Sequence, residues 1–273
     1  HLLRDNCQPR QNDHPKIYIY YQLIKMFQND FPEKIFQSVD QLFRNNYQEL
    51  SLFEQRLFIY KLCGIASSQL MERQKIDYAK PAFDLYRFGV DHKILLINKK
   101  LKDATYINIF IIGAFAGMHE WVQSFIQTRS RSLLNEYTRS ETILVGNTYF
   151  LLHSGRYQEA SELLRAFPAK AINLKFRINF LSIRCYTELF LTNQSYETVL
   201  NSKLASFKKF INRNKKFSNY RKKAYSNYCV AVGMLIKLSY NKILPENVLN
   251  FINSTNPILS SNWLKSKIKQ IQK

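Results

Sequence analysis

The residue pair that most invites chemistry is His119-Glu120, an imidazole beside a carboxylate. It opens the HExxH pattern, in which two histidines one helical turn apart hold zinc and the glutamate activates water. Position 123 is Gln, so the second ligand is absent and the pair reads as polar residues at a helix start. The histidines and the four cysteines (Cys7, Cys63, Cys185, Cys229) are scattered, with no CxxC and no histidine at ligand spacing. Neither GxGxxG, GxxxxGK nor GxSxG occurs. The expectation is a chain without catalytic residue, metal or cofactor, although a Cys–His pair assembled only by folding stays open.

Charge carries more information. The formal charge is +20, and residues 137–273 hold 22 basic and 6 acidic side chains against 18 and 14 in residues 1–136. No acid occurs between Glu197 and Glu246, the interval containing Lys208, Lys209, Arg213, Lys215, Lys216, Arg221, Lys222 and Lys223. These eight form a candidate basic patch. On a helix in which Leu200, Leu204, Phe207 and Ile211 make one stripe, Lys203, Lys208 and Lys209 fall at ~300°, ~80° and ~180° from Leu200. They flank and oppose the core instead of lining up. The residues 212–217 are placed to gather both clusters at one edge. A solvated surface, an acidic protein or lipid partner, and nucleic acid bound through phosphates are the three readings of that patch.

The elements that must position these groups are helices. The chain is 46% hydrophobic and 14% aromatic, with 7 Gly and 7 Pro over 273 residues, and lacks the turn dipeptides that punctuate all-β chains. The most telling stretch is 138–167: Thr138 and Glu141 have capping-box spacing, an apolar run follows, Gly155 interrupts it and Tyr157 resumes it. That is a helical hairpin, and a hairpin cannot bury its apolar faces alone. Further hairpins follow from the pattern. Ile17, Tyr20, Tyr21, Ile24 and Phe27 mark the apolar side of the first helix, and a second begins at Asp30 and Pro32. Ser51 and Glu54 form another capping box before a helix running to about Met71. A packed loop is expected between Asp91 and Asp103. Asp103, Ser195 and Ser218 are expected to cap later helices, and the last, Trp263 to Ile271, reads as a basic, amphipathic and solvated end cap.

Three hairpins superpose on their turns: Gly117-Met118-His119-Glu120-Trp121-Val122, Gly155-Arg156-Tyr157-Gln158-Glu159-Ala160 and Gln194-Ser195-Tyr196-Glu197-Thr198-Val199. This resembles the tetratricopeptide repeat, and the middle copy matches best, with small Thr148 and Ala160 where the helices cross. Val122, Val199 and Gln194 depart from the repeat's small crossing residue and turn glycine. Together with Leu85-Tyr86-Arg87-Phe88-Gly89 and Phe207 to Lys216, the hairpins are similar to a group of uncharacterised bacterial tetratricopeptide-like proteins. The resemblance implies an all-α, right-handed solenoid of antiparallel hairpins. It also implies an inner groove lined by Tyr149, His153, Arg184 and Glu188, where an extended peptide or a partner's helix would lie.

The expected organisation is a polar segment over 1–13, N-terminal hairpins over 14–102, tetratricopeptide-like hairpins over 103–240 and capping helices over 241–273. Because the chain opens on His1 and polar residues, it is read as part of something longer. The most apolar run, Tyr106 to Met118, is too short to span a bilayer. Free cysteines in apolar runs point to a reduced, cytoplasmic compartment. The expected role is a non-catalytic scaffold or adaptor that binds a protein or peptide, with nucleic-acid binding through the basic half as the alternative.

Overall fold

The computed structural model describes residues 15–28, 33–71, 75–166, 172–215 and 217–272. Among them there is no strand, only an isolated bridge between Ile97 and Lys100. The first six helices are α1 (Pro15–Gln28), α2 (Glu33–Asn46), α3 (Leu52–Met71), α4 (Ala79–Asp91), α5 (Asp103–Phe115) and α6 (His119–Leu133). They are followed by α7 (Arg139–His153), α8 (Tyr157–Arg165), α9 (Ile172–Thr192), α10 (Glu197–Arg213), α11 (Asn219–Ser239), α12 (Pro245–Ser254) and α13 (Ser261–Ile271). The expected polar segment 1–13, the Asp30–Pro32 helix start, Cys7 and Lys216 lie outside the described residues. The chain divides into two compact units, His1–Gly146 and Asn147–Lys273, the division falling within α7.

Local chemistry sets the helix ends. At α3 the Ser51 amide and hydroxyl both donate to Glu54 Oε2, at 2.9 and 2.8 Å, so the expected box forms. Gly117 and Gly155 take φ of 68° and 74°. Each closes a helix with the same pair of bonds: Met118 N to Gly113 O (2.9 Å) with Gly117 N to Ala114 O (3.2 Å), and Arg156 N to Leu151 O (2.9 Å) with Gly155 N to Leu152 O (3.3 Å). Ser218 caps α11 through the Arg221 amide at 3.3 Å.

Two expected caps are replaced. At the third turn Gln194 cannot take the left-handed conformation cheaply, and Asn193 does the work instead, its side chain accepting from Ser195 N at 2.9 Å to open a short 3-10 turn. Asp103 lies inside the first turn of α5, and its carboxylate accepts from the Thr138 hydroxyl at 3.1 Å.

In the first unit each helix packs on its sequence neighbour from α1 through α6. Phe36, Phe43, Phe58, Phe83 and Phe110 are buried in its core, and buried Tyr106 shares a hydrogen bond with Ser130. The 92–102 loop is packed as expected: Ile94, Leu95 and Leu101 are buried, and Arg56 Nε donates to Ile94 O at 2.9 Å. In the second unit α8 packs on α9, α9 on α10 and α10 on α11, while α11 carries both α12 and α13. A separation of 38 residues recurs in contacts of both units: Lys16 with Glu54, Tyr20 with Phe58, Phe83 with Trp121, Arg129 with Asp91, and Tyr196 with Gln158.

The face that α1 buries differs from the expected one. Ile19, Leu23 and Met26 enter the core, whereas Ile17, Ile24 and Phe27 are 53%, 43% and 47% exposed. Both stripes have helical spacing, and the neighbours α2 and α3 decide between them.

Candidate functional site

The four residues assigned to an inner groove lie in the second unit, Glu188 buried and Tyr149, His153 and Arg184 half-buried. Glu188 is buried on α9; its Oε1 accepts from the Trp263 indole N–H at 2.8 Å and its Oε2 from the Lys267 ammonium at 2.6 Å. The Arg184 guanidinium lies over the Trp263 ring, 5.1 Å from its centroid. Helix α13, expected as a solvated cap, therefore occupies the α9 face that a peptide was expected to use. It is held there by Leu264 and Ile268, both buried. On α7 the Tyr149 and His153 rings lie parallel with centroids 6.5 Å apart. Burial, and then the Arg184 charge, hold the His153 imidazole down at about 3. Burial raises the Tyr228 hydroxyl well above the usual phenol range, and that hydroxyl has no hydrogen-bond partner among the described residues. The arrangement is an internal polar clasp that fastens α13 to α9.

The basic residues are positioned by the short turn from α10 into α11. Lys208, Lys209, Arg213, Lys215 and Lys223 are exposed; Arg221 and Lys222 are half-buried. Arg221 is the ordered one, its guanidinium 4.6 Å from the Phe176 ring centre and 4.7 Å from that of Phe217. The turn joins the carboxyl end of α10, which carries Lys208, Lys209 and Arg213, to the amino end of α11, which carries Arg221, Lys222 and Lys223.

A third surface was missed by the sequence reading. Helix α1 runs beside α3 in the same direction, because Lys16 Nζ meets Glu54 Oε1 at 2.6 Å and the Tyr20 and Phe58 rings lie 4.8 Å apart. The Lys16 ammonium, and then Ser51, hold the Glu54 carboxyl down at about 2. Going round each helix from those contacts, Ile17 and Ile24 of α1 and Phe53 and Leu57 of α3 border the outside of the seam between the two helices. Phe53 is 75% exposed.

Further along, the seam opens into a pocket of about 380 Å³ lined by Phe27, Tyr60, Lys61, Gly64, Ile65, Ser68 and Gln69. A Cβ at Gly64 would meet nothing within 4 Å, so glycine leaves its floor open. The Tyr60 hydroxyl and Gln69 Oε1 are buried without a partner among the described residues, and Gln69 is 2% exposed. A largely apolar hollow lined in part by Gln69, whose acceptor is unmet, suits a ligand that brings one hydrogen-bond donor on an apolar body. The available signal was an excess of apolar residues: α1 and α3 each carry more than one core-facing stripe needs.

A second hollow of about 410 Å³ lies along α2 and α4, lined among others by Asp40, Arg44, Asp91 and His92. These four groups have partners: Arg44 Nε donates to Asp40 at 2.7 Å, Arg129 to Asp91 at 2.6 Å, and the Tyr47 hydroxyl bonds His92 Nδ1 at 2.9 Å.

Among the described residues no three His, Cys, Asp or Glu side chains are grouped to hold a metal ion. The cysteines Cys63, Cys185 and Cys229 are free and buried, and burial pushes the Cys185 and Cys229 thiols up to about 12. No described helix is long and apolar enough to cross a membrane. No protein-family model, curated protein or solved structure matches the chain.

Proposed function

We propose that the chain is a non-catalytic helical-repeat scaffold, its hairpins stacked in the tetratricopeptide-like manner within each unit, that binds another protein. The 38-residue spacing of contacts supports the repeat reading, since it agrees with the spacing of the turns at Gly117, Gly155 and Gln194. The observation that carries the binding reading is the seam between α1 and α3. It holds Ile17, Ile24, Phe27, Phe53 and Leu57, five of the fourteen exposed large hydrophobic side chains among the described residues. Such a concentration beside an open pocket marks a surface that another protein covers.

The ligand is an amphipathic helix. Apolar side chains at i, i+3 or i+4, and i+7 match a seam between parallel helices, and a tryptophan would fill the pocket with its N–H on Gln69 Oε1. Exposed Lys61 and Lys102, the latter with its ammonium 5.7 Å from the Tyr60 ring centre, place positive charge at the rim and favour acidic flanks on that helix.

The test is selection from a displayed library of helical peptides on the whole chain, with Leu57→Asp and Ile24→Asp as variants. Both positions are exposed, so the fold is expected to survive, as circular dichroism would verify. Enrichment of acidic, amphipathic peptides whose binding both variants abolish is the expected result. Peptides that bind the variants equally well would overturn the assignment.

A further inference from the structure

We infer that the end of the second unit formed by the amino ends of α9 and α11 and the carboxyl end of α10 is a surface for single-stranded nucleic acid. Antiparallel packing of α9 on α10 and of α10 on α11 brings three helix ends together. The Phe176 ring pins them, with centroids 6.4 Å from Phe210, 4.7 Å from Phe217 and 3.9 Å from Tyr225. The charged side chains that these three helix ends carry are all cations. Helix α9 contributes Lys175 and Arg177, α10 contributes Lys209 and Arg213, and the turn and α11 add Lys215 and Lys223.

None of the exposed cations Lys209, Arg213, Lys215 and Lys223 forms an ion pair among the described residues, and no acidic residue lies between Glu197 and Glu246 to supply one. Arg221, fixed over two rings and hydrogen-bonded to Tyr225, adds its charge to this end with little further loss of freedom. The first turn of α11 has no acid, so its amides add to the positive field.

The composition of this end separates nucleic acid from an acidic protein. A protein interface has an apolar centre within a polar rim. Here the one large hydrophobic side chain that is well exposed is Tyr220, at 68%. The exposed aliphatics of the unit are elsewhere: Val199 is in the first turn of α10, Val230 is midway along α11, and Leu244 and Leu249 follow the far end of α11. Cations around one free aromatic ring match a phosphate backbone with a base stacked on the ring. An unstacked strand can offer that base; a closed duplex cannot.

The experiment is fluorescence anisotropy of a labelled oligo-dT 20-mer with the whole chain. With about five phosphates neutralised, affinity should fall about 100-fold between 50 and 200 mM salt. The triple variant Lys209→Ala, Arg213→Ala, Lys223→Ala should weaken binding at least ~10-fold and flatten the salt slope by about 2. Tyr220→Ala should weaken it ~5-fold or more and leave the slope unchanged. The control triple Lys237→Ala, Lys242→Ala, Lys269→Ala removes equal charge from other exposed positions and should change little. Leu57→Asp should leave oligonucleotide binding intact, so this inference and the seam reading fail independently. Absence of binding at 50 mM salt would overturn the proposal. So would equal damage from the control triple, equal competition by polyglutamate, or equally tight binding to phosphatidylserine vesicles.

Discussion

Replacing Glu188 with leucine should loosen the carboxy-terminal helix, and the structure sets the size of the effect. The carboxylate is buried, 5% exposed, and answers two donors, the Trp263 indole at 2.8 Å and the Lys267 ammonium at 2.6 Å. The Lys267 side chain is itself only 11% exposed. Removing one member of a buried pair leaves the other charge uncompensated, which costs about 3–5 kcal/mol. Lys267 keeps one bond, to Gln270 Oε1 at 2.9 Å, so the expectation is the lower end, about 3 kcal/mol. Glu188→Gln keeps an acceptor for the indole and should cost about 1.5–3 kcal/mol. Removing both charges, Glu188→Leu with Lys267→Met, should return the protein to within about 1 kcal/mol of the parent, because two desolvation penalties disappear along with one attraction. Urea unfolding followed by Trp263 emission in a Trp121→Phe background reads the second unit directly. A cost below about 1 kcal/mol for Glu188→Leu, or a double variant as damaged as the sum of its parts, would show that the clasp does not hold α13.

Other perturbations follow from the same coordinates. Gly155→Ala and Gly117→Ala force a Cβ into φ of 74° and 68° and should each cost about 1–2 kcal/mol, read as a lower Tm. Gly64→Ala, mid-helix with open space around it, should instead gain about 0.5–1 kcal/mol, and a loss there would contradict the open pocket floor. The third concerns pH. His153 resists protonation down to about 3, against an ordinary 6.5, so both states are neutral above pH 7 and stability is level there. As pH falls below 6.5 the unfolded chain takes up a proton that the folded one refuses, and stability drops. At pH 5 the loss from this ring is at most about 2 kcal/mol, less to the extent that solvent reaches it beside Tyr149 and Arg184. His153→Gln should reduce the difference in urea midpoint between pH 7 and pH 5; an unchanged difference would refute the assignment.

Local chemistry was readable from the chain because it is local. The Ser51–Glu54 box, the glycine turns at Gly117 and Gly155 and the Ser218 cap each depend on residues within six positions of one another, and each appears where the spacing places it. The third turn shows the limit. Alignment on Gly117 and Gly155 selects Gln194, but a left-handed residue with a Cβ is costly, and Asn193 supplies an alternative that alignment alone does not rank. Glu188 shows another. Its partners Trp263 and Lys267 are 75 and 79 residues away, so nothing near it in sequence distinguishes a groove carboxylate from a buried one.

The seam between α1 and α3 was obscured by a different cause. Periodicity identifies stripes of apolar residues without saying which stripe is used, and α1 has two, Ile19–Leu23–Met26 and Ile17–Ile24. The core takes the first because α2 and α3 present their own buried faces to it, which leaves the second as surplus. A helix needs only one such stripe to join a stack, and burying a large apolar side chain stabilises by about 1.5–3 kcal/mol. Side chains at Ile17, Ile24, Phe53 and Leu57 that forgo much of that stabilisation contribute little to this fold by staying outside. Their hydrophobic driving force is available to another molecule, and the unmet acceptor of Gln69, further along the same helix, would supply a directional bond to fix its register. Apolar excess alone does not single out α1 and α3, since α5 carries more of it and buries nearly all of it; what distinguishes α1 and α3 is that packing leaves part of theirs outside, which periodicity cannot show.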